Sequence, residues 1–407
     1  MLFFDAHVHV GNFSVKQTEE NSKLFAYAKY QKNSADKYHR LAVRKNISKA
    51  VCFPFPFCEI SFSKQNQYVL DAAAKYPYLF LPFVLPDKTD MLEKNAGSFY
   101  GIKDHFYFDF HEKIDRMEVL DFAQQYNKVY IFHAHWKKWD ERISLIAKNF
   151  PKLKVIVAHS ARVAPFAASA QGSSFEDRLL EIKSLIPEAL LENFYFETST
   201  IRDPSSIRSL VNTFGSQHVL WGTDYPYYSN DGEDVYDEEI RCIQESQIDD
   251  ESKERIFSGN FRDLFQKGEC WIRHGTKDDA PALLEMTKTI SREERKFLAY
   301  DKKEDLIRTQ IKKGSHVLVA ESQEGKIMGF LRFSDRYNDS VMIEEVYVDP
   351  QYRGQKVARK LVTSLVPAHS KSCAKSFANN QSIYHVFSSL GFSATPSPKG
   401  TMIAWEK

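Results

Sequence analysis

Histidines and an aspartate are spaced along the first part of the chain so that they could bind one metal ion. His7 and His9 stand two residues apart, directly after a short apolar run. Residues two apart on an extended strand point to the same face, so both imidazoles can reach one divalent cation. A His-x-His pair alone is weak evidence, but it has matching partners downstream. The residues that follow later apolar runs are His133, His159 and Asp224.

The bulk composition is that of an ordinary globular protein with two domains. The chain has 407 residues and a formal net charge of +1, so its charge indicates neither a nucleic acid nor a membrane surface as partner. No apolar stretch reaches the roughly 18 residues of a membrane span, and the first residues lack the pattern of a signal peptide. The cysteines are odd in number, scattered and never in CxxC spacing, which favours a reducing cytoplasm. They are Cys52, Cys58, Cys242, Cys270 and Cys373.

Short apolar strands alternate with amphipathic segments over residues 1–267. This alternation predicts an α/β fold, a parallel (β/α)8 TIM barrel, with active-site residues at the carboxyl ends of the strands. The pattern changes near 267, and residues 271–407 predict a smaller α/β domain, called the tail below. The predicted barrel strands are Leu2–Asp5, Ala50–Phe53, Leu79–Val84, Tyr100–Lys103, Val129–Phe132, Lys154–Ala158, Phe194–Glu197 and Val219–Gly222.

Three imidazoles and a carboxylate suit zinc or a similar divalent metal with one position open for water. Such a metal lowers the pKa of its water and supplies hydroxide near neutral pH. His159 is the best candidate for a nearby base or acid. His135 lies two residues past His133, so either could be the ligand, and Asp5 could orient a histidine.

The region 1–267 resembles the amidohydrolase superfamily, in the amidohydrolase-related branch that includes aminocarboxymuconate semialdehyde decarboxylase-like enzymes. The resemblance implies that His7, His9, His133 and Asp224 hold one metal and that His159 activates water or protonates the substrate. It also implies a second role for Asp224 as a proton acceptor. The segments that carry it are Asp5–His9, Gly101–Lys103, His133, His159, Asn193–Ser199, Gly222–Pro226 and Gly259–Phe265.

Lys103 leaves a second metal arrangement open. Some members of the superfamily carry a carboxylated lysine at the end of the fourth strand, where Lys103 falls, and His159 would then bind a second ion. The preferred interpretation is a single-metal site in which Lys103 faces the substrate or forms an ion pair.

Substrate-binding residues can be predicted only from their position after a strand. Arg162 could pair with a substrate carboxylate through its planar guanidinium. The aromatic residues together predict a pocket for a small, partly apolar acid or amide, whereas His39, His105 and His111 are interpreted as surface or core histidines. The aromatic candidates are Trp136, Trp139, Tyr225, Tyr227, Tyr228 and the run Phe53–Phe57.

The tail contains a loop suited to bind a pyrophosphate. Residues Arg353–Ala358 lie between a predicted strand and helix, and free amides at a helix N-terminus bind anions. The run Arg353, Gly354, Gln355, Lys356, Val357 and Ala358 resembles the acyl-CoA loop of GNAT N-acyltransferases, with Lys356 where a glycine is usual. Asn380–Ile383 and Phe387–Phe392 resemble the second motif of that family, which implies acetyl-CoA as cofactor.

Catalysis in the tail depends on residues outside the loop. Glu344 or Glu345 could act through water as a general base, although a charged pair with one member facing solvent is the plainer interpretation. Active GNAT enzymes often have a tyrosine where Phe387 stands, and Phe387 cannot donate a proton. Tyr384, one helical turn earlier, could substitute, although packing in the core or at the surface is the plainer interpretation.

The leading hypothesis is a bifunctional cytoplasmic enzyme. The barrel would hydrolyse an amide or ester bond of a small molecule, and the tail would transfer an acyl group from acyl-CoA to an amine. The alternatives are a metal-dependent decarboxylase, with a tail that senses acyl-CoA or joins subunits, and a histidine-rich phosphoesterase, which should carry more metal ligands. A homo-oligomer is left open.

Overall fold

The computed structural model describes most of both regions of the chain. The described residues are 2–16, 32–105, 115–133, 139–161, 174–227, 234–266, 268, 270–289, 309, 316–336, 340–369 and 371–407. No helix within these ranges is both long enough and apolar enough to cross a membrane.

Eight parallel strands form the first sheet, each paired with the next along the chain. Ala6 N donates to Trp221 O at 2.9 Å, and His9 N donates to Tyr225 O at 2.9 Å. These bonds join the first strand to the segment after the eighth, so the sheet is a nearly closed barrel, as predicted. The strands are β1 (Phe3–His9), β2 (Ile47–Phe53), β3 (Phe80–Val84), β4 (Gly101–Asp104), β5 (Val129–His133), β6 (Val155–Ala158), β7 (Phe194–Glu197) and β8 (Val219–Leu220).

Helices alternate with these strands and begin where polar side chains satisfy the first free amides. Ser34 Oγ accepts from Lys37 N at the start of α1, and Ser174 forms a capping box with Asp177 at the start of α6. The helices are α1 (Ala35–Lys45), α2 (Phe62–Lys75), α3 (Thr89–Lys94), α4 (Arg116–Gln125), α5 (Trp139–Asn149), α6 (Phe175–Leu185), α7 (Pro204–Phe214), α8 (Asp234–Glu245), α9 (Asp250–Glu254) and α10 (Asn260–Phe265).

Apolar side chains fill both faces of the barrel sheet. Phe4, Val51, Leu81 and Ile131 belong to one buried cluster of strand residues, and a larger buried cluster packs alternate strand residues together with the helices. A strand buried on both faces must be apolar almost throughout, which explains the continuous apolar runs in the sequence.

The tail is a seven-stranded mixed sheet with helices, which confirms the second α/β domain. Its strand order is β9-β10-β11-β12-β13-β15-β14, and only β12 and β13 pair in parallel. Its elements are β9 (Trp271–His274), α11 (Ala280–Lys288), β10 (Val317–Glu321), β11 (Ile327–Arg336), β12 (Ser340–Val348), α12 (Val357–Leu365), β13 (Lys371–Phe377), α13 (Gln381–Ser389), β14 (Ser393–Pro396) and β15 (Met402–Glu406).

One local prediction differs from the structure. The first strand does not end at Asp5 but continues through His9, because its backbone bonds to the segment after β8 extend the pairing. Asp279 forms a capping box with Thr276 at the turn directly before α11, where it accepts from Thr276 N at 2.7 Å, and it also pairs with Arg273 at 2.6 Å.

The tail packs against the end of the barrel where the strands begin. Trp271 stacks on Phe261 with ring centroids 6.1 Å apart, and Ser48 Oγ donates to His274 O at 3.2 Å. Glu321 accepts from Arg262 of the barrel at 2.6 Å and also pairs with Arg273. The contact between the domains therefore includes buried charges that neutralise one another.

Candidate metal centre

His7, His9 and Asp224 meet at the carboxyl end of the barrel strands. His7 Nε2 lies 3.1 Å and His9 Nε2 lies 3.3 Å from the same oxygen, Asp224 Oδ1. All three side chains are buried, and one ligand atom from each lies within 4.8 Å of the others. The structure therefore brings together three of the four predicted ligands, although they are up to 217 positions apart in the sequence (224 minus 7).

The outer ring nitrogens fix the tautomers of both histidines. His7 Nδ1 lies 2.8 Å from Glu197 Oε2, and His9 Nδ1 lies 2.9 Å from the carbonyl of Pro54. A carboxylate and a carbonyl can only accept, so each Nδ1 carries the proton and each Nε2 keeps its lone pair for the centre. Two lone pairs and a carboxylate oxygen at this spacing repel one another unless a cation or proton lies between them. The donor set therefore fits a divalent metal.

Glu197 at the end of β7 holds both His7 and the strand end that carries His159. Its carboxylate accepts from His7 Nδ1 at 2.8 Å, from His159 N at 3.1 Å and from Ser199 Oγ at 2.9 Å. Burial alone raises the pKa of Glu197, but the neighbouring His7 outweighs burial and lowers the pKa to about 2. Glu197 is therefore ionised, and it orients the imidazole as carboxylates commonly do behind metal ligands.

Asp5 positions the backbone on both sides of the centre. Its carboxyl group accepts from His7 N at 3.0 Å and from Thr223 N at 3.1 Å, the residue before Asp224. Thr223 Oγ1 and Tyr236 Oη also donate to it, at 2.7 and 3.0 Å. Burial raises the pKa of Asp5 to about 7. The sequence suggested that Asp5 orients a histidine ring. Its hydrogen bonds instead connect β1 to the loop that carries Asp224.

His133 and His159 form a second pair beside the first three residues. His159 Nε2 lies 3.0 Å from His133 Nδ1, and His159 Nδ1 lies 2.7 Å from Ser199 Oγ. The rings of His7 and His159 have centroids 4.9 Å apart. Among the described residues, the metal-sized clusters are His7 with His9 and Asp224, and His7 with His159 and Glu197, and His133 lies against His159 of the second cluster.

Lys103 and His105 complete the wall of the site from β4. Lys103 Nζ donates to His7 Nε2 at 3.3 Å and lies 4.5 Å from the ring centre of Phe53. His105 is buried, and its ring centroid is 4.5 Å from that of His133. Lys103 and His105 are two residues apart, so they point from the strand to the same side.

Burial lowers the pKa of the histidines at the centre, whereas the neighbouring carboxylates raise it. Burial lowers the pKa of His9 and of His159 to about 4 each. Burial and Lys103 also act to lower the pKa of His7, but Glu197 and Asp224 outweigh them and raise it above 6.5. Burial by itself raises the pKa of Asp224, but the histidines bring it well below its usual 3.8. The centre is thus an anionic carboxylate among mostly neutral imidazoles.

Backbone conformation supports a specialised site. His159 and Asp224 adopt φ of 58° and 56°, in the left-handed region that non-glycine residues rarely occupy. Such conformations persist only where the surrounding contacts enforce them, and they cluster at functional sites.

Some of the predicted site residues lie outside the part of the chain that the structure describes. They are the substrate candidates Trp136, Arg162 and Tyr228, the alternative ligand His135, and His111, which was interpreted as a surface or core histidine. Tyr225 is buried and packs against Tyr38 and Tyr236. Tyr227 does face the site, since its ring meets that of His9 edge-on at 4.9 Å. Phe55 stacks on His9 at 5.5 Å and lies 5.9 Å from the ring of Tyr227, so the predicted aromatic wall includes Phe55 and Tyr227.

Sequence reasoning gave no role to Glu197 and interpreted His105 as a surface or core residue. The structure puts both at the site. The strand-end rule that selected the other residues also applied here, because Glu197 ends β7 and His105 directly follows β4. A signal for His105 was its spacing of two from Lys103, the same spacing that selected His7 and His9.

The loop predicted to bind acyl-CoA joins β12 to α12 and is largely exposed. Gly354 has φ of 83° and Lys356 has φ of 62°, directly before α12 begins at Val357. Arg353 Nε donates to Val348 O at 3.1 Å, which fixes the start of the loop. Gln355 is exposed, and Ala358 lies in the first turn of α12. Asn380 caps α13, where its Oδ1 accepts from Ile383 N at 3.2 Å.

The two glutamates proposed as bases have different surroundings. Glu344 is exposed and accepts from Ser334 Oγ at 2.6 Å, whereas Glu345 is buried and lies 3.3 Å from Arg332 Nε. Strands β12 and β13 pair between Ser340–Ile343 and Lys371–Ala374. This pairing therefore ends directly before Glu344 and Glu345.

Phe387, at the position of the usual GNAT tyrosine, and Tyr384, its suggested substitute, pack on the same tryptophan. Phe387 is buried with its ring centroid 5.4 Å from that of Trp405, and Tyr384 meets Trp405 edge-on at 5.1 Å. Tyr384 is 37% exposed, so its hydroxyl-bearing ring is partly open to solvent.

Comparison with known families agrees with this architecture. The amidohydrolase family model matches residues 4–267, and the acetyltransferase (GNAT) family model matches residues 281–392. The chain belongs to the amidohydrolase family and carries a GNAT acetyltransferase domain after its barrel.

Similar curated proteins include decarboxylases. The 2-amino-3-carboxymuconate-6-semialdehyde decarboxylase of Caenorhabditis elegans is 31% identical over 80 residues, 19% of this chain and 20% of that protein. The 6-methylsalicylic acid decarboxylase of Penicillium expansum is 24% identical over 125 residues, 30% of this chain and 37% of that protein. The chain thus matches about a fifth to two fifths of the length of these relatives.

A solved structure shares the barrel fold. The probable 2-pyrone-4,6-dicarboxylic acid hydrolase of Acinetobacter baumannii aligns with a TM-score of 0.50 and 17% identity, over 66% of this chain and 100% of that one. At this identity the likeness concerns the fold alone.

Proposed function

We propose that the barrel is a metal-dependent decarboxylase of a small unsaturated acid. The observation that carries this proposal is the convergence of His7 Nε2 and His9 Nε2 on one oxygen of Asp224. A divalent metal held there would act as a Lewis acid toward an oxygen of the substrate. Decarboxylation is favoured over the hydrolysis expected from sequence because the curated relatives above are named decarboxylases.

The walls of the site suit a flat, conjugated acid. Phe55 and Tyr227 both contact His9, and Phe53 lies against both His7 and His9 at 4.8 and 4.6 Å. Decarboxylation breaks the bond between the carboxyl carbon and the neighbouring carbon, releases carbon dioxide, and leaves an electron pair that takes up a proton. A dry aromatic wall destabilises the starting carboxylate relative to the dispersed charge that follows, which favours this bond cleavage.

His159 is the residue assigned to the proton transfer. It lies beside His7, and Ser199 and Glu197 hold its ring and its backbone in place. An imidazole so held can hand a proton to the carbon that loses its carboxylate. The same ring could instead take a proton from an attacking water, and this geometry keeps metal-dependent hydrolysis of an amide or ester as the second candidate.

Product analysis with the metal-loaded full chain separates these reactions. A panel of unsaturated acids and a panel of amides and esters are incubated with the wild type, with His159→Ala and with Asp224→Asn. We expect carbon dioxide release without hydrolysis from at least one acid, with large losses in both variants. Hydrolysis without carbon dioxide would move the assignment to the second candidate, and equal rates with His159→Ala would remove the role of that residue.

For the tail we propose binding of acyl-CoA and transfer of its acyl group to an amine. The exposed loop before α12, with the end of the β12–β13 pairing at the glutamates, supports this proposal. Phe387 favours an alternative in which the tail binds acetyl-CoA without turnover and senses it. Acetyl-CoA binding and release of free thiol, measured with an amine panel, decide between the two, since a sensor binds but releases no thiol.

A further inference from the structure

Lys103 is a fully buried cation, and among the described residues no carboxylate neutralises it at contact distance. Its side chain is on β4, and Lys103 is 1% exposed. Within the described part of the chain it forms no ion pair at 4.0 Å or less, and its hydrogen bond goes to His7 Nε2 at 3.3 Å. A buried ammonium is costly unless an acceptor satisfies it, so this single contact matters.

The acceptor that Lys103 uses is the atom that a metal would take. His7 Nδ1 carries a proton toward Glu197, so Nε2 holds the only lone pair of that ring. This lone pair cannot serve the metal and the ammonium together. Once a metal is bound, Lys103 needs another acceptor, and its own positive charge beside the metal makes an anion the natural one.

The surroundings of Lys103 favour an anionic oxygen that arrives with the substrate. His105 lies on the same side of the strand end, beside His133, and imidazoles can donate to such an oxygen. Phe53 covers the ammonium at 4.5 Å from its ring centre, which limits access of water. A charge-assisted hydrogen bond formed in so dry a place is among the stronger ones that proteins make.

We propose that Lys103, with His105 beside it, binds a second acidic group of the substrate while the reacting carboxylate faces His7, His9 and Asp224. The substrate class is therefore a small unsaturated dicarboxylic acid. This inference rests on the proposed metal site and extends it, because it assigns a specificity-determining role to a residue outside the metal ligands.

Calorimetric titration of the metal-loaded full chain with phthalate and with benzoate tests this role. Phthalate offers two carboxylates and benzoate offers one, so the ratio of their affinities reports on the second carboxylate alone. We expect the wild type to prefer phthalate by about tenfold or more, the strength of a charge-assisted hydrogen bond. In Lys103→Met the two acids should bind almost equally.

Lys49→Met is the matched control, since Lys49 is also a fully buried lysine but lies at the start of β2, where its Nζ donates to Pro77 O at 3.1 Å. It should keep the preference for phthalate. Lys103→Gln replaces Lys103→Met if the latter does not fold, and the same loss of preference is expected.

Three results would overturn the inference: a phthalate preference that survives in the Lys103 variants, no preference in the wild type, or a carboxylated Lys103 with two metals per chain. Failure of the proposed decarboxylation can be distinguished from failure of the role of Lys103. A chain that retains its metal and its Lys103-dependent preference but releases no carbon dioxide from any acid contradicts the decarboxylase assignment alone.

Discussion

Replacing Glu197 by glutamine should weaken metal binding without removing any ligand. Glu197 accepts from His7 Nδ1 at 2.8 Å and from His159 N at 3.1 Å, so one carboxylate orients a ligand and the neighbouring strand end. The glutamine keeps the size of the side chain but loses its negative charge. One of its two terminal atoms becomes a donor, which opposes the N–H groups that now point at the carboxylate.

The size of the effect follows from the role of the lost charge. Carboxylates that support a metal-binding histidine change metal affinity by roughly 10- to 100-fold when they are mutated, or about 1.4 to 2.7 kcal/mol. The value should lie toward the upper end, because Glu197 is fully buried and its attraction is little screened by solvent. Competition between the protein and a chelating dye for Zn2+ measures this change directly.

Glu239→Gln provides the matched control for Glu197→Gln. Glu239 is equally buried and accepts from Thr200 N at 2.9 Å, but burial raises its pKa well above the ordinary value. An uncharged amide therefore changes this residue less, and Zn2+ affinity should stay near that of the wild type. Unchanged affinity in Glu197→Gln, or an equal loss in Glu239→Gln, would refute the reasoning.

Two further predictions concern stability. Burial lowers the pKa of Lys49 from 10.5 to about 7. Between about pH 7 and 10.5, the unfolded chain therefore holds a proton on Lys49 that the folded chain has released. Because of this difference, the free energy of unfolding rises with pH in that range. Lys49→Met should flatten this rise and stabilise the protein at pH 7 by on the order of a few kcal/mol in urea denaturation, and an unchanged pH slope would contradict it. Lys356→Gly should stabilise the tail by roughly 1 kcal/mol, because Lys356 adopts φ of 62° and only glycine does so without strain. Urea denaturation followed by fluorescence tests this gain, and a loss of stability would show that the loop requires the lysine side chain.

The fold was predictable because its signals are local. Alternating apolar strands and amphipathic helices indicated the barrel, and the strand-end rule placed His7, His9 and Asp224 on one side of it. The end of β1 was placed too early, because its last residues pair with the segment after β8, which no local pattern reveals. The predicted boundary between residues 1–267 and 271–407, and the roles of the site residues, stay predictions.

Pairings between distant residues could not be read from the sequence. Glu197 meets His7 across 190 positions, and neither residue type nor spacing specifies that contact. Arg273 lies in a strand-like run, where a charged side chain would ordinarily face water. Arg273 is buried because Glu321 and Asp279 pair with it and neutralise its charge. Such networks depend on the final packing of strands and domains.

The contact between Trp271 and the strand starts has a consequence for how the two chemistries are connected. The tail packs against the end of the barrel where the strands begin, and the histidine centre lies at the other end of the same strands. A molecule that leaves the histidine centre at the carboxyl ends of the strands does so on the side away from that contact. If one domain makes what the other consumes, the fusion ensures equal amounts and nearness of the two catalysts, while the shared intermediate travels by free diffusion.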